Sequence, residues 1–495
     1  MKRIHLQREP NLIAKMKAFP YQAEAFEAIK DLEYAAVFHE QGLGKTKIAI
    51  DLMLYWLGET DIDVVLVVTK KQLIQNWVSE FKQHTQIAPA VLSSNKQDNY
   101  YVFTGPARIV VTNFETLLTE KERFALYLNT RNVAVVIDES AKLKNPDSQL
   151  TQTYFALSAK FKKRVIMTGT PVANRPYDVW AQIFFLDGGK SLGNDFKQFK
   201  KETDLSNKLS DDYEAQKRFE SVVGDIFKQI SAFSVRETKN SKIISLPKKV
   251  YIREDVEFLP DQLALYNKIK DELVIEVKKK SEVVVDDSSA AVKRLLRLIQ
   301  VASNPRLVDK AFGGDSAKEA KLESLIGEII KNEEKCIVWT CFIENVELFY
   351  HKYKSSGCAK IHGGMAISDR NRSVERFRQP ECKVLFATPA SAKEGLTLTM
   401  ANHVVFYDRG FSLDDYLQAQ DRIHRISQTK TCYVHNLIMA NSIDEWVDLL
   451  LSAKQNAALL AQGDITISQY HQMADYSYGD IIQEILFPNK EEYHE

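Results

Sequence analysis

Short runs of β-branched and other apolar residues recur along this chain, and each is followed by sequence typical of a helix. The runs occupy residues 34–38, 64–69, 109–112, 133–138 and 164–168, and then 336–340, 383–388, 403–408 and 432–437. Strands that are apolar throughout are buried on both faces, and their alternation with helices is typical of a parallel sheet. Between about 187 and 330 the sequence is charged and helix-forming. We therefore predict an α/β protein with two parallel-sheet lobes and a mostly helical insertion between them.

The composition limits the kinds of protein that this sequence can encode. Its 495 residues allow two to four domains, and its 66 basic residues balance its 66 acidic ones. This balance excludes a uniformly basic coat for nucleic acid but leaves a local basic groove open. No apolar run approaches the roughly 20 residues of a membrane span, and the charged start predicts no signal peptide. The five cysteines form no C-x2-C pair, so we expect a reduced, intracellular protein without structural zinc.

A glycine-rich loop follows the first apolar run and opens a helix. Its residues are Gly42, Leu43, Gly44, Lys45 and Thr46. Backbone N–H groups at the start of a helix bind phosphate, so we expect Lys45 to reach the β- and γ-phosphates of a nucleotide and Thr46 to hold Mg²⁺. The full phosphate-loop pattern begins with a glycine, whereas this chain has His39 there. A chance Gly-Lys-Thr at a strand–helix turn is the alternative.

Two adjacent carboxylates at the end of another apolar strand weaken that alternative. We expect Asp138 to hold Mg²⁺ and Glu139 to orient or deprotonate an attacking water. Upstream of the loop, Gln22 has both a donor and an acceptor, which suit the edge of adenine. The hydroxyls of Thr168 and Thr170, at the end of a further strand, either relay between sites or cap a turn.

Two arginines lie far along the chain from the phosphate loop, within residues 418–428. The i, i+3 spacing of Arg422 and Arg425 predicts that both lie on one face of a helix. Arginines that one domain supplies to a nucleotide held by another couple hydrolysis to movement. The alternative is a surface face that forms salt bridges.

In their order along the chain, these motifs resemble those of superfamily 2 helicase-type motors and, among them, the Snf2 family of double-stranded DNA translocases. The segments that carry the resemblance are 19–22, 40–46, 76–81, 112–117, 138–145, 168–174, 236–239, 246–249, 295–297, 304–307, 362–364, 394–399 and 418–428. Segments 295–297 and 304–307 resemble a helical protrusion that DEAD-box RNA helicases lack. The family's phosphate loop also lacks the first glycine. The compact chain is similar to the fork-remodelling, SMARCAL-like branch and to small bacterial or viral members.

The resemblance implies an α/β fold of two RecA-like parallel-sheet lobes with a helical Snf2-type insertion. The implied domains are a first RecA-like ATP-binding lobe at 1–232, a linker and helical protrusion at 233–320, a second RecA-like helicase C-terminal lobe at 321–462 and a tail at 463–495. ATP and Mg²⁺ are the implied cofactors, bound between the lobes. The implied catalytic residues are Lys45, Asp138, Glu139, Arg422 and Arg425. The implied further nucleotide contacts are Gln22, Gly42, Leu43, Gly44, Thr46, Gly395 and Gln418.

The resemblance also implies contacts to DNA phosphates that position the duplex without reading bases. The candidates are Lys70, Thr112 and Asn113 in the first lobe and Thr340, His362, Thr388 and Lys393 in the second. Each of these residues, taken alone, is as readily a turn residue as a contact.

From these features we expect a monomeric DNA-dependent ATPase that translocates on double-stranded or forked DNA. It would remodel DNA or DNA–protein structures in the cytoplasm, the nucleoid or a viral replication site, with no membrane partner. Two alternatives stay open: a strand-separating DNA or RNA helicase, and a non-hydrolysing DNA-binding scaffold with a motor fold. The full catalytic set argues against the scaffold, and the helical protrusion favours translocation over unwinding.

Overall fold

The computed structural model describes residues 11–172, 174–204, 213–239, 246–278, 289–392, 397–425 and 427–473, which form two compact units. The first unit takes the described parts of Met1–Leu205, Lys217–Ser245 and Ala457–Ile467, and the second takes those of Ser206–Gln216, Leu246–Asn456 and Ser468–Glu495. The predicted linker and protrusion at 233–320 is thus divided between the two units after residue 245.

Seven parallel strands form the sheet of the first unit. They are β1 (Tyr34–Val37), β2 (Val64–Thr69), β3 (Ala90–Val91), β4 (Ile109–Asn113), β5 (Val133–Asp138), β6 (Lys163–Met167) and β7 (Ser234–Val235). Their order across the sheet is β3-β4-β2-β5-β6-β1-β7, and every pair is parallel. Every residue of β2 is buried, as expected for a strand that is covered on both faces.

Six parallel strands form the sheet of the second unit, so the predicted α/β fold with two parallel sheets is confirmed. They are β8 (Lys249–Val256), β9 (Cys336–Trp339), β10 (Cys358–Ile361), β11 (Val384–Ala387), β12 (His403–Phe406) and β13 (Cys432–Met439). Their order is β10-β11-β9-β12-β13-β8. Strand β8 lies where the sequence predicts mostly helix. It is an edge strand whose side chains alternate between exposed and half-buried, so it lacks a continuous apolar run.

Helices connect the strands and cover the sheets. In chain order they are α1 (Pro20–Ile29), α2 (Lys45–Glu59), α3 (Ile74–His84), α4 (Lys96–Thr104), α5 (Phe114–Thr119), α6 (Lys121–Thr130), α7 (Gln149–Ser158), α8 (Trp180–Asp187), α9 (Phe196–Thr203), α10 (Tyr213–Ile230), α11 (Pro260–Lys278), α12 (Ser289–Ser303), α13 (Ala317–Lys331), α14 (Ile343–Lys352), α15 (Ile367–Arg378), α16 (Pro389–Ala392), α17 (Leu413–Gln420), α18 (Ile443–Ala461) and α19 (Ile467–Met473). Among the described residues, none of these helices combines the length and hydropathy of a membrane span.

Each sheet packs its apolar side chains into a core of its own. In the first unit, Met53 and Trp56 of α2 join Val65 and Val67 of β2. In the second unit, the ring of Phe349 lies with its centroid 4.8 Å from that of Tyr407. The predicted insertion appears as α11 and α12, where the Gln262 amide donates a 2.9 Å hydrogen bond to a carbonyl of α12. The sequence of residues 281–290 also predicts a loop between two helices; residues 281–288 lie outside the described residues, and 289–290 belong to α12.

The first unit is completed by a piece from late in the chain, Ala457–Ile467. The guanidinium of Arg236 pairs with the carboxylate of Asp464, with Nε donating to Oδ1 at 2.8 Å. A Cβ atom placed on Gly224 of α10 would lie 3.4 Å from Cδ1 of Ile467 and 3.8 Å from Cδ1 of Leu460. The late piece therefore packs closely on α10.

Four side chains of the second unit, those of Glu334, His403, His435 and Glu254, make a continuous series of polar contacts, called here the polar chain. The rings of His403 (β12) and His435 (β13) meet with Nδ1 and Nε2 3.1 Å apart. His403 Nε2 lies 2.7 Å from Glu334 Oε2, and His435 Nδ1 lies 3.2 Å from Glu254 Oε1 in β8. Burial lowers the pKa of both imidazoles, although the carboxylates oppose that effect.

We expect acid to destabilise the second unit through this polar chain. A lowered histidine pKa means that the unfolded chain binds protons more readily, so the stability is present above the ordinary pKa of about 6.5 and is lost as pH falls below it. Urea unfolding between pH 8 and 5 should show a shallower pH dependence for the double variant His403→Gln/His435→Gln than for the wild type. His351 is exposed, so His351→Gln should show the same pH dependence as the wild type. Equal pH dependence for all three proteins would refute this expectation.

Candidate functional site

The glycine-rich loop of the first unit lies between β1 and α2. Gly42 and Gly44 adopt left-handed backbone conformations, with φ of 85° and 71°, and α2 begins at Lys45. The Lys45 ammonium donates to the carbonyls of His39, at 2.8 Å, and Glu40, at 3.3 Å. The ammonium therefore lies inside its own loop, where a phosphate could take the place of these carbonyls.

Residues of α1 hold this loop from one side. The Tyr21 hydroxyl and the Gln22 amide both donate to the carbonyl of Leu43, at 3.0 and 3.2 Å. The other end of the Gln22 amide accepts from the backbone of Phe19 at 3.0 Å. A Cβ atom on Gly44 would lie only 2.3 Å from Gln22 Nε2. The structure thus engages Gln22 with the loop, and its contact with adenine stays a prediction.

His39 occupies the position of the missing first glycine and is 2% exposed. Burial and then the positive charge of Lys45 lower the pKa of His39 to about 4, while the backbone of Val235 opposes the shift. The imidazole is therefore neutral at neutral pH. Its ring centroid lies 6.1 Å from that of Tyr21.

Asp138 ends β5 and accepts two hydrogen bonds on the same carboxylate oxygen. Thr69 Oγ1 donates to Oδ2 at 3.1 Å, and Trp77 Nε1 donates to it at 2.9 Å. Burial raises the pKa of Asp138, and the charge of Glu139 raises it further, whereas these two hydrogen bonds and the Lys45 charge oppose the rise. The two donors fix the plane of the carboxylate.

Glu139 has a left-handed backbone conformation with φ of 57°, which is uncommon for a residue with a side chain. Its Oε2 atom lies 3.3 Å from the ammonium of Lys70, and both side chains are 20% exposed. Lys70 is one of the predicted DNA contacts. The structure gives it a partner at the carboxylate, and its contact with DNA stays a prediction.

The residues predicted to hold Mg²⁺ supply few ligands of their own. Among the described residues, no group of three or more His, Cys, Asp or Glu side chains could hold a metal ion. Mg²⁺ retains several waters and is usually bound through one or two protein oxygens together with substrate phosphates. The Thr46 hydroxyl and the Asp138 carboxylate fit that limited role.

The end of β6 packs directly against the phosphate loop. A Cβ atom on Gly169 would lie 2.5 Å from Gln41 Cγ and 3.3 Å from Lys45 Nζ. Thr168 Oγ1 accepts from the Thr170 backbone at 3.2 Å, so this hydroxyl caps a turn. Of the two roles considered, the structure supports the cap for Thr168.

The prediction that Arg422 and Arg425 share a helix face is wrong. Helix α17 ends at Gln420, and both arginines lie in the turns that follow. Hydrogen bonds to the segment before β12 hold these turns: the Leu398 N–H donates to the Arg422 carbonyl at 3.0 Å, and the Arg425 guanidinium donates to Thr397 Oγ1 at 2.7 Å. These tertiary bonds prevail over the i, i+3 pattern.

The predicted nucleotide contacts of the second unit are only partly described. Gln418 is buried, and its amide donates to Asp414 Oδ1 at 2.7 Å. Arg422 is 4% exposed. Gly395 and the predicted DNA contact Lys393 lie outside the described residues.

The other predicted DNA contacts lie at the carboxyl ends of strands but are largely buried. Their exposed fractions are 0% for Thr112, 6% for Asn113, 0% for Thr340, 8% for His362 and 5% for Thr388. The Asn113 side chain caps α5, and His362 Nε2 lies 2.9 Å from Glu347. These contacts stay predictions, and at such positions backbone amides are better placed than side chains to bind a phosphate.

Thr340 belongs to a buried polar network around Asp408. The carboxylate accepts from Thr340 Oγ1 at 2.6 Å, from Ser303 Oγ at 2.7 Å and from the Cys341 backbone at 2.6 Å. The Asn345 amide donates to both hydroxyls, at 3.2 and 2.9 Å respectively. The network joins the end of α12 to the ends of β9 and β12.

The sequence reasoning assigned no role to Thr69 or Trp77, which hold Asp138. Parallel pairing of β2 with β5 aligns Val68 with Ile137, so the next residue of each strand, Thr69 and Asp138, lie side by side. That register was the signal that could have revealed Thr69. Trp77 lies on α3, and no local pattern reveals its partner.

Two protein-family models match the sequence. Residues 33–307 match the SNF2-related domain, and residues 317–427 match the helicase conserved C-terminal domain. The first match alone covers more than half of the chain. The chain belongs to the SNF2-related family. The predicted Snf2 resemblance is confirmed.

The chain is similar to two mycoplasma proteins, each named an uncharacterized ATP-dependent helicase. The one from Mycoplasma genitalium is 28% identical over 463 residues, which cover 91% of this chain and 42% of the relative. The one from Mycoplasma pneumoniae is 30% identical over 449 residues, which cover 88% and 41%. The chain thus spans less than half of the length of these SNF2-related relatives.

Among solved structures, the Sulfolobus solfataricus SWI2/SNF2 ATPase core in complex with dsDNA is 23% identical to this chain. The match covers 97% of this chain and 99% of the Sulfolobus chain, with a TM-score of 0.41. That score is too low to add to the family assignment.

Gly44→Ala should weaken nucleotide binding by about tenfold or more, because the new Cβ meets Gln22 and displaces the loop amides that converge on phosphate. Gly188→Ala is the matched control: it has a similar φ of 67° and nothing within 4 Å of its Cβ. Both variants should lose about 1 kcal/mol of stability from left-handed strain. Fluorescent-nucleotide titration and thermal unfolding measure the two effects. Equal nucleotide affinity in both variants would contradict the binding of nucleotide phosphate by the loop around Gly44.

Proposed function

We propose that this chain is an ATP hydrolase that nucleic acid stimulates and that moves along double-stranded DNA, where it remodels DNA or DNA–protein structures. The observation that carries the proposal is the placement of Asp138 and Glu139 near the phosphate loop. Asp138 is aligned with Met167 of β6, and two residues further on a Cβ atom on Gly169 would lie 3.3 Å from the Lys45 ammonium. A phosphate-binding loop beside two carboxylates is the arrangement that phosphoryl transfer to water requires.

The roles of the first-unit residues follow from their positions. Lys45 would exchange its loop carbonyls for phosphate oxygens, and the loop N–H groups would bind the same phosphates. The Thr46 hydroxyl and Asp138 would hold Mg²⁺, which when bound neutralises charge on the phosphates. Glu139 would orient the attacking water and accept its proton.

Arg422 and Arg425 are proposed as the cations that stabilise negative charge as the phosphate is transferred. In related phosphoryl-transfer systems such an arginine raises the turnover rate by a factor of about 10³–10⁵. Support comes from the fixed position of Arg425, whose Nε donates to the Asp421 carbonyl at 3.1 Å while its Nη1 donates to Thr397. A guanidinium held in this way loses little freedom on contact with a phosphate.

The proposal of a nucleic-acid substrate draws on the family and on the names of the mycoplasma relatives. The polar side chains at the strand ends are mostly buried, so backbone amides there, together with the part-exposed Lys70, would make phosphate contacts without base reading. Binding of this kind is independent of sequence and weakens steeply with salt. Strand separation of DNA or RNA is the second candidate. A strand-separating helicase displaces one strand of the duplex, whereas a duplex translocase displaces a third strand bound to an intact duplex.

Lys45→Ala and Glu139→Gln should each reduce ATP hydrolysis by at least about 10²-fold. Hydrolysis is measured with no nucleic acid, single-stranded DNA, duplex DNA, forked DNA and RNA in parallel. We expect duplex or forked DNA to stimulate the wild type most. We also expect triplex displacement without strand displacement. Strand displacement, or RNA as the best activator, would favour the second candidate instead. Unchanged hydrolysis in both variants would exclude the proposed site.

Trp77→Phe should raise the Mg²⁺ concentration for half-maximal hydrolysis by about tenfold, because the indole that fixes Asp138 is lost. Trp56→Phe is the matched control: its indole, also buried, donates to the Lys30 carbonyl at 2.9 Å. Mn²⁺ affinity of the nucleotide complex, measured by electron paramagnetic resonance, should fall only in Trp77→Phe. A similar change in both variants would mean that the effect is merely one of packing.

A further inference from the structure

Parallel pairing of β2 and β5 brings the carboxyl ends of the two strands together. Val68 aligns with Ile137, the strands end one residue later at Thr69 and Asp138, and Lys70 and Glu139 are the first residues after these ends. The Thr69 hydroxyl donates to Asp138 at 3.1 Å, and the Lys70 ammonium lies 3.3 Å from Glu139. Both carboxylates of the proposed hydrolytic site are therefore contacted from the end of β2.

The two contacts differ in how firmly they are made. Thr69 is 0% exposed, and its short side chain shares the Asp138 oxygen with Trp77. The Lys70 and Glu139 side chains are each 20% exposed and meet at the long end of the hydrogen-bond range. A part-exposed ion pair contributes little stability, so another charge can displace one of its members.

We propose that the Lys70–Glu139 ion pair restrains hydrolysis, and that a nucleic-acid phosphate removes the restraint by drawing Lys70 away from Glu139. The inference rests on the ATP hydrolysis proposed above. While Lys70 is in place, its ammonium competes with water for the Glu139 carboxylate. Once Lys70 turns toward a phosphate, the carboxylate oxygen is available to the attacking water.

The chain is built so that Lys70 can move while the backbone stays in place. Thr69 remains fixed by the sheet and by Asp138, and α3 remains fixed through the Trp77 indole. A lysine has a flexible four-carbon stem and a compact charge, so its ammonium can change partner without any shift of the strand. The switch therefore consists of one side chain.

The position of Lys70 favours a phosphate of nucleic acid as its second partner. Asn113, a predicted DNA contact, pairs with Thr69 across β4 and β2, so Lys70 lies beside the strand end where such contacts are expected. Backbone phosphates of nucleic acid attract lysine whatever the base sequence. A phosphate of ATP carries the same chemistry, and measurements with and without DNA separate the two sources.

The test compares Lys70→Met with Lys71→Met in ATP hydrolysis at saturating ATP, with and without duplex DNA. Lys71 is the adjacent exposed lysine. In Lys70→Met, hydrolysis without DNA should rise about two- to fivefold, as expected for the loss of a part-exposed ion pair. The rate at saturating DNA should stay near that of the wild type, so the ratio of stimulation falls. Lys71→Met should keep the wild-type rate without DNA.

A third variant guards against a trivial explanation. Lys70→Arg retains the positive charge, so its rate without DNA should be lower than that of Lys70→Met, whereas a merely structural role would make the two replacements alike. Thermal unfolding of the variants should match that of the wild type.

Three outcomes would overturn the inference. In the first, DNA stimulates the wild type, but Lys70→Met matches the wild type both in its rate without DNA and in its stimulation by DNA. The ion pair is then not a restraint. A fall of the rate without DNA in Lys70→Met would assign Lys70 to the phosphates of ATP. A wild type that hydrolyses ATP but responds to no nucleic acid would overturn this inference together with the proposed stimulation by nucleic acid.

Discussion

The chemistry proposed for the first unit depends on the parallel pairing of β2 with β5. About seventy residues of chain separate these strands, yet their register aligns Val68 with Ile137. In a parallel sheet, the residues that follow two neighbouring strands emerge at the same edge. Thr69 is thereby set against Asp138, and Lys70 against Glu139. A shift of β2 by one residue would set Val68 or Lys70 beside Asp138 in place of Thr69, and it would exchange the residues that β2 presents to the two covered faces of the sheet.

Much of the fold could be predicted because the buried strands are apolar throughout. The runs that begin at Val64 and Val133 match β2 and β5 in full, since strands covered on both faces have to be apolar. Strand β8 escaped the prediction because it lies at an edge, where Tyr251 and Arg253 are exposed and the apolar run is broken. Its partner strand, β13, is distant in sequence, so local sequence patterns do not predict their pairing.

The site was predictable where it is local in sequence. The loop before Lys45 and the carboxylates after β5 are short motifs whose backbone context is set by the adjacent strand and helix. The helix predicted for Arg422 and Arg425 was wrong, because their hydrogen bonds with Thr397 and Leu398, which are distant in sequence, hold turns instead. The partners of Lys70 could not be foreseen for the same reason. The family resemblance implied a phosphate contact for Lys70, and only the folded structure shows that its partner is the Glu139 carboxylate.

The late piece Ala457–Ile467 has a consequence for how the protein is made. All the strands described for the first unit lie before Arg236, but Arg236 lacks Asp464, and α10 lacks Leu460 and Ile467, until residues 457–467 are synthesised. At roughly 5–20 residues per second, synthesis from Arg236 to Asp464 takes about 11–46 s. During that interval an apolar face of α10 stays open to water and to other proteins. Aggregation or proteolysis can therefore begin at this face of α10 until residues 457–467 have joined the first unit.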